Sequence, residues 1–108
     1  MLIVTETDYS LPTKFDPLIH QSSRLSILAV LAGAESADFT YLLEATGLTK
    51  GTLSKHLTKL RDAGYIEIKK SSKDNFPNTS ASLTATGKKA FDDYRRQYIA
   101  FSKTMGSE

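Results

Sequence analysis

One stretch in the middle of the chain constrains its fold more than any other. Residues 39–46 and 50–63 repeat apolar side chains at helical spacing, and the three residues between them begin with Gly47. Gly64 ends the second segment, and the six residues after it alternate apolar and polar side chains, which is typical of a β-strand. Two short helices joined through a glycine-containing turn form a helix-turn-helix. The sequence predicts this motif over about residues 38–63.

Two further helices are predicted, one before this motif and one at the end of the chain. Asp16 is suited to cap a helix over about residues 17–32, with Pro17 at the first helical position, where its missing N–H is not needed. Thr84 is suited to cap a last helix over about residues 85–103, and Thr49 is suited to cap the second helix of the motif.

A β-hairpin is predicted between the motif and the last helix, over about residues 65–83. Its tip is the polar segment 72–78. Phe76 within it could anchor the base of the hairpin or form an exposed apolar tip, and packing at the base is expected. The fold class is therefore mostly α with a small β-hairpin (α+β). A chain of 108 residues forms one compact domain, so residues 1–108 are predicted to be a single domain.

Charge is distributed unevenly along the chain, although the net charge is only +2. Residues 1–47 carry a balance of −4, residues 48–75 a balance of +4 and residues 76–108 a balance of +2. The cationic excess thus falls on the second helix of the motif and on the hairpin. Such a surface suits phosphate binding, although charge alone is equally compatible with an ordinary solvated face.

The second helix of the motif separates its side chains into two faces. Leu53, Leu57 and Leu60 form an apolar stripe, and hydroxyls and lysines occupy the opposite side, where they can reach base edges and phosphates in a major groove. The hairpin adds lysines suited to phosphate contact. The candidate DNA-binding residues are Thr49, Lys50, Gly51, Thr52, Ser54, Lys55, His56, Lys59, Lys69, Lys70 and Lys73.

Three segments resemble a known family: FDPLIHQSSRLSILAVL, ADFTYLLEATGLTKGTLSKHLTKLRDAGYIEI and SLTATGKKAF. They are similar to the small winged-helix transcriptional regulators of the MarR and ArsR groups. The resemblance implies a three-helix core, a recognition helix over residues 49–63, a wing over residues 65–83 and a C-terminal dimerisation helix. Relatives commonly place arginines beside the wing proline, whereas Pro77 here follows Phe76 and precedes Asn78. This difference puts minor-groove reading by the wing in doubt.

The last helix carries an aromatic stripe that could cover the core of the same chain, but a homodimer interface is expected. The stripe presents more aromatic surface than a small core can absorb, and a two-fold interface would cover the excess. Leu2, Ile3 and Val4 could add to this interface. A dimer implies two recognition helices on a pseudo-palindromic double-stranded DNA site. The candidate interface residues are Phe91, Tyr94, Tyr98, Phe101 and Met105.

Other classes of function find little support in the sequence. There is no cysteine, and the only two histidines, His20 and His56, lie on different predicted helices, so neither a metal site nor a cofactor is predicted. Catalytic motifs are absent, so no enzyme activity is predicted. No membrane segment or export signal is visible, which leaves the cytoplasm as the expected location. The remaining alternative is a winged helix that binds a protein instead of DNA; no effector is evident.

Overall fold

The computed structural model describes residues 14–106. The predictions for residues 1–13, including the contribution of Leu2, Ile3 and Val4 to an interface, lie outside this range. Four helices and three antiparallel strands confirm the predicted α+β winged helix. The elements in chain order are α1 (Ser22–Ala32), β1 (Ala37–Asp38), α2 (Phe39–Thr46), α3 (Lys50–Asp62), β2 (Ile66–Lys73), β3 (Phe76–Leu83) and α4 (Ala85–Thr104).

The first helix begins five residues later than the sequence predicts. The Asp16 carboxylate accepts from the backbone N–H of Leu18 at 2.9 Å, and its carbonyl accepts from the N–H of His20 at 2.8 Å. Asp16 therefore caps a separate turn. The N-cap of α1 is Gln21, whose side-chain oxygen accepts from the N–H of Arg24 at 2.9 Å.

The caps predicted for the other two long helices are confirmed. The Thr49 hydroxyl accepts from the N–H of Thr52 at 3.3 Å at the start of α3. The Thr84 hydroxyl accepts from the N–H of Gly87 at 2.9 Å at the start of α4. Each bond satisfies a backbone donor that a helix start leaves free.

A short third strand joins the hairpin. Ala37 pairs with Ala81 and Asp38 with Ser80, which gives the strand order β1-β3-β2. Two residues are too few for a visible alternation of apolar and polar side chains, so the sequence analysis missed this strand.

The hairpin turn is tighter than predicted. The two strands continue to Lys73 and from Phe76, so only Asp74 and Asn75 form the turn. Both have positive φ angles, 53° and 68°, in the left-handed region that Asp and Asn adopt more readily than most residues. The expectation that Phe76 packs at the hairpin base is wrong, because the longer strands carry it away from the core and leave it 71% exposed.

The core lies where the helices meet the inner face of the sheet. Gly87 brings α4 directly against the first residues of the hairpin, since a Cβ at this position would overlap the Tyr65 carbonyl. The buried apolar residues are Ile19, Ile27, Leu28, Leu31, Ala37, Leu42, Leu53, Leu57, Leu60, Ile66, Ala81, Phe91 and Tyr94.

The aromatic stripe of α4 does not form one continuous interface. Phe91 and Tyr94 are buried in the core of the same chain, so assigning them to a dimer interface is wrong. Phe101 is half-buried and meets Phe15 edge-on, with a ring-centroid distance of 5.8 Å. Of the predicted stripe, Tyr98 and Met105 remain exposed. The small core therefore absorbs more of the aromatic surface than expected.

Candidate nucleic-acid interface

Helix α3 has a buried apolar side and an exposed polar side, as its periodicity predicts. Leu53, Leu57 and Leu60 are buried. Thr52 is half-buried and, apart from His56, the rest of the predicted set on this helix is exposed: Thr49, Lys50, Gly51, Ser54, Lys55 and Lys59. Hydroxyls and ammonium groups thus form one continuous outer surface.

The first turn of α3 holds two hydroxyls in fixed positions. The Thr49 hydroxyl donates to Thr52 Oγ1 at 3.0 Å while accepting from the Thr52 N–H. Thr52 can still donate its own hydroxyl proton to an outside acceptor. Gly51, between them, has open space where a Cβ would lie, so a ligand backbone can approach closely.

The described lysines of α3 and of the wing have no internal counterions, whereas Arg61 of α3 lies 3.2 Å from Asp62. Lys50, Lys55, Lys59, Lys69 and Lys70 form no ion pair within residues 14–106. Helix α4 differs, because Asp93 accepts from Lys89 at 3.2 Å and from Arg96 at 2.9 Å, and Arg95 lies 3.9 Å from Asp92. Lys88 and Lys103 of α4 also lack an ion pair, but most of the unpaired lysines within residues 14–106 lie on the predicted DNA-facing elements.

His56 is the exception among the predicted contacts. Its side chain is buried, with 8% of the residue exposed, and its Nδ1 lies 3.1 Å from Nη1 of Arg24 in α1. We therefore correct its assignment: His56 is a packing residue at the edge of the outer face, and its burial leaves little surface for direct contact with DNA.

The surroundings of His56 favour its uncharged form. Burial lowers the pKa of its imidazole, and the nearby positive charges of Arg24, Lys55 and Lys59 lower it further. A neutral ring whose Nδ1 accepts from Arg24 carries its proton on Nε2. Because Arg24 Nε also donates to the Leu18 carbonyl at 2.6 Å, Arg24 connects the turn before α1 to helix α3.

Sequence reasoning missed this role of Arg24. The partner lies 32 residues further along the chain, and no local pattern links the two positions. The only sequence signal is that Arg24 is one of just two cations, with Lys14, in an acidic N-terminal third.

The wing divides its lysines between two faces. Paired residues of an antiparallel hairpin share a face, and successive residues alternate. Lys69 pairs with Ser80 and Lys70 with Thr79, so the two exposed lysines belong to opposite faces. The predicted contact Lys73 lies in β2, but its side chain is outside the described part of the structure.

No group of three or more His, Asp or Glu side chains between residues 14 and 106 is arranged to hold a metal ion. None of the described helices is both long and apolar enough to cross a membrane.

Known proteins resemble this chain in sequence and in structure. The family model for the winged helix DNA-binding domain matches residues 23–102. An uncharacterized protein of Methanocaldococcus jannaschii is 39% identical over 82 residues, which cover 76% of this chain and 89% of that protein. This chain therefore belongs to the winged helix DNA-binding domain family, whose members are not enzymes.

Solved structures show the same fold at lower identity. A transcriptional regulator homologue from Pyrococcus horikoshii has a TM-score of 0.78 at 22% identity, covering 83% of this chain and 89% of that one. A mutant MarR from E. coli has a TM-score of 0.68 at 17% identity, covering 83% and 69%. NadR in complex with 4-hydroxyphenylacetate has a TM-score of 0.66 at 24% identity, covering 93% and 76%. The predicted similarity to MarR-type winged helices is confirmed at the level of the fold.

Proposed function

We propose that this protein is a dimeric transcriptional regulator that binds double-stranded DNA sequence-specifically in the cytoplasm. Helix α3 enters the major groove, where Thr52, Ser54, Lys55 and Lys59 face the base edges and phosphates. Lys69, Lys70 and Lys73 of the wing neutralise phosphates beside this contact.

The observation that carries the proposal is the uncompensated charge on α3 and the wing. Five lysines on these elements lack ion pairs within residues 14–106, while three of the cations on α4 are paired with Asp92 or Asp93. Phosphate groups of DNA supply the missing counterions, and their own counterions are released on binding.

The same surface argues against the alternative of a protein-binding module. A winged helix that docks on a protein through α3 would need an apolar patch on the outer side of this helix. The large apolar side chains of α3 all point inward, and the exposed side carries hydroxyls, lysines and Gly51.

Selection of bound duplexes from a random pool is the direct test. We expect enrichment of a two-fold symmetric site whose half-sites lie about 34 Å apart. Affinity for the selected duplex should fall steeply with salt, with a log–log slope near −5 if about six phosphates are contacted. Absence of duplex binding at low salt would overturn the proposal.

Lys55 provides a residue-level test of major-groove contact. Lys55→Ala should weaken binding by about 1–3 kcal/mol and relax the preference at one base pair if the ammonium group reads a base. The matched control is Lys88→Ala, which removes an exposed lysine of α4. An equal loss on every sequence would reassign Lys55 to a phosphate.

The proposed dimer uses the C-terminal half of α4. Tyr98, Ile99 and Met105 are 49%, 46% and 64% exposed, although all three are large and apolar. Ile99 was not in the predicted stripe. A second copy packed on this half-helix would remove these side chains from water.

Sedimentation velocity tests this interface. The double substitution Tyr98→Glu with Ile99→Glu should convert a species of twice the 11.9 kDa chain mass into a monomer. Tyr41→Glu, at an exposed tyrosine of α2, is the matched control and should keep the mass of the wild type. A wild-type protein that sediments as a monomer at all concentrations would exclude the dimer.

A further inference from the structure

Phe76 places a large apolar side chain at the far end of the wing. It is 71% exposed, the highest value among the large hydrophobic residues of the described chain. No other aromatic ring stacks on it within residues 14–106, and it does not belong to the core. Covering such a ring with a ligand would remove apolar surface from water and so favour binding.

The turn holds this ring in a defined position. Asp74 and Asn75 form a two-residue turn with both φ angles positive, a geometry that matches the twist of a hairpin. Phe76 follows this turn directly and pairs with Lys73 as the last pair of the ladder. The ring is therefore carried by regular β-structure and not by a long loop.

The reach of the wing fits the spacing of DNA grooves. The last cross-strand pair packed on the core is Ile68 with Ala81, and Phe76 lies five residues beyond Ala81. At about 3.3 Å per residue, this distance is roughly 16 Å. Half a helical turn of DNA, which separates a major groove from the neighbouring minor groove, is about 17 Å.

The charges around the tip favour DNA over an apolar protein partner. Lys69 shares a face with Phe76, and Lys70 lies on the other face, so exposed ammonium groups stand on both sides of the hairpin. These lysines would repel a second wing but attract the phosphates that line a minor groove. The wing contains no arginine, so the usual guanidinium contact is not open to it.

We propose that the wing inserts Phe76 as an apolar wedge into the minor groove beside the half-site bound by α3. The ring lies against the sugars and partly unstacks one base step, while Lys69 and Lys70 contact the phosphates on either side. This inference rests on the proposed function. It also implies that the Asp74 carboxylate, exposed at the turn, opposes binding, so that Asp74→Asn strengthens it.

The test uses the full chain and a selected duplex that carries 2-aminopurine at successive positions flanking the half-site. Wild-type protein should raise the fluorescence at one step, where unstacking occurs. Phe76→Ala should bind roughly 10-fold more weakly and lose the fluorescence rise, with its salt slope unchanged. Lys70→Ala is the matched control, which should lower the salt slope but keep the fluorescence rise.

The outcomes separate this inference from the proposed function. If wild-type protein binds the duplex and Phe76→Ala binds it equally well, the wedge is overturned and the DNA-binding function stands. If wild-type protein binds no duplex, both the wedge and the proposed DNA-binding function are overturned. If Phe76→Ala changes the sedimenting mass but not the affinity for DNA, Phe76 belongs to a contact between copies and the wedge is wrong. Circular dichroism should show native folding of the variant, because the ring is exposed.

Discussion

Helices α3 and α4 both carry a regular apolar stripe, but the two stripes are buried to different extents. Leu53, Leu57 and Leu60 of α3 are all buried, so this stripe faces the core along the whole helix. On α4, full burial of the aromatic stripe ends at Tyr94: Tyr98 is already half exposed, and Phe101 is only half-buried. Twenty residues make α4 about 30 Å long, which exceeds the core beneath it. Periodicity therefore predicts which side of a helix is apolar, but the length of its neighbours decides how much of that side is buried.

The sharpest test of this contrast is one substitution made in each half of α4. Tyr94→Glu removes a buried ring, whose hydroxyl lies 2.8 Å from His20 Nδ1, and places a carboxylate in the core, so it should cost at least about 3 kcal/mol of unfolding free energy. Tyr98→Glu, four residues later, should cost less than about 1 kcal/mol in the monomer. Urea unfolding at low protein concentration measures both. Equal losses would mean that the core extends to Tyr98.

Features fixed by a few neighbouring residues were predictable from the sequence. Thr49 and Thr84 cap their helices through bonds to residues three positions later. Strand β1 was not predictable, because Ala37 becomes a strand residue only by pairing with Ala81, far along the chain. The outer face of α3 followed from helical geometry, whereas the position of Phe76 depended on where two strands stop pairing.

The burial of His56 shows the same limit within the candidate site. A helical projection places it at the edge of the polar face, yet Arg24 covers it from another helix. The local sequence predicts on which face of a helix a side chain lies. Contacts between distant segments decide whether that face is accessible to solvent or to a ligand.

His56 and Lys59 provide the corresponding test on α3. His56→Ala removes buried packing and leaves Arg24 Nη1 without its acceptor, so the free energy of unfolding should fall by about 1–2 kcal/mol. Lys59→Ala, at an exposed position, should change stability by less than about 0.5 kcal/mol while weakening DNA binding. Thermal unfolding and a titration with DNA, applied to both variants, measure the losses of stability and of affinity. A stable His56→Ala variant that loses only DNA affinity would restore His56 as a contact.

Helices α3 and α4 meet at Tyr65, and the stability of this junction should depend on pH. Its N–H donates to the Leu60 carbonyl at the end of α3, and its carbonyl accepts from the N–H of Thr84 at the start of α4, both at 3.0 Å. Its hydroxyl donates to the Asp16 carboxylate at 2.5 Å. This hydrogen bond, assisted by burial and by the negative charge of Asp16, raises the pKa of Tyr65 to about 12. Tyr65 thus ties the junction of α3 and α4 to the turn before α1.

Stability should respond to alkaline pH because the folded protein holds this proton more tightly than the unfolded chain, whose tyrosine pKa is about 10. The stabilisation is complete below pH 10 and is lost as pH rises from about 10 to about 12. Wild type should therefore exceed Tyr65→Phe by about 1–2 kcal/mol in unfolding free energy at pH 9, and the difference should close near pH 12. Urea unfolding of both proteins across this range measures the gap, and ionisation of the lysines cancels in the difference. A difference that stays constant with pH would show that the hydrogen bond from Tyr65 to Asp16 does not stabilise the fold. The backbone hydrogen bonds of Tyr65 would then be its only link between the helices.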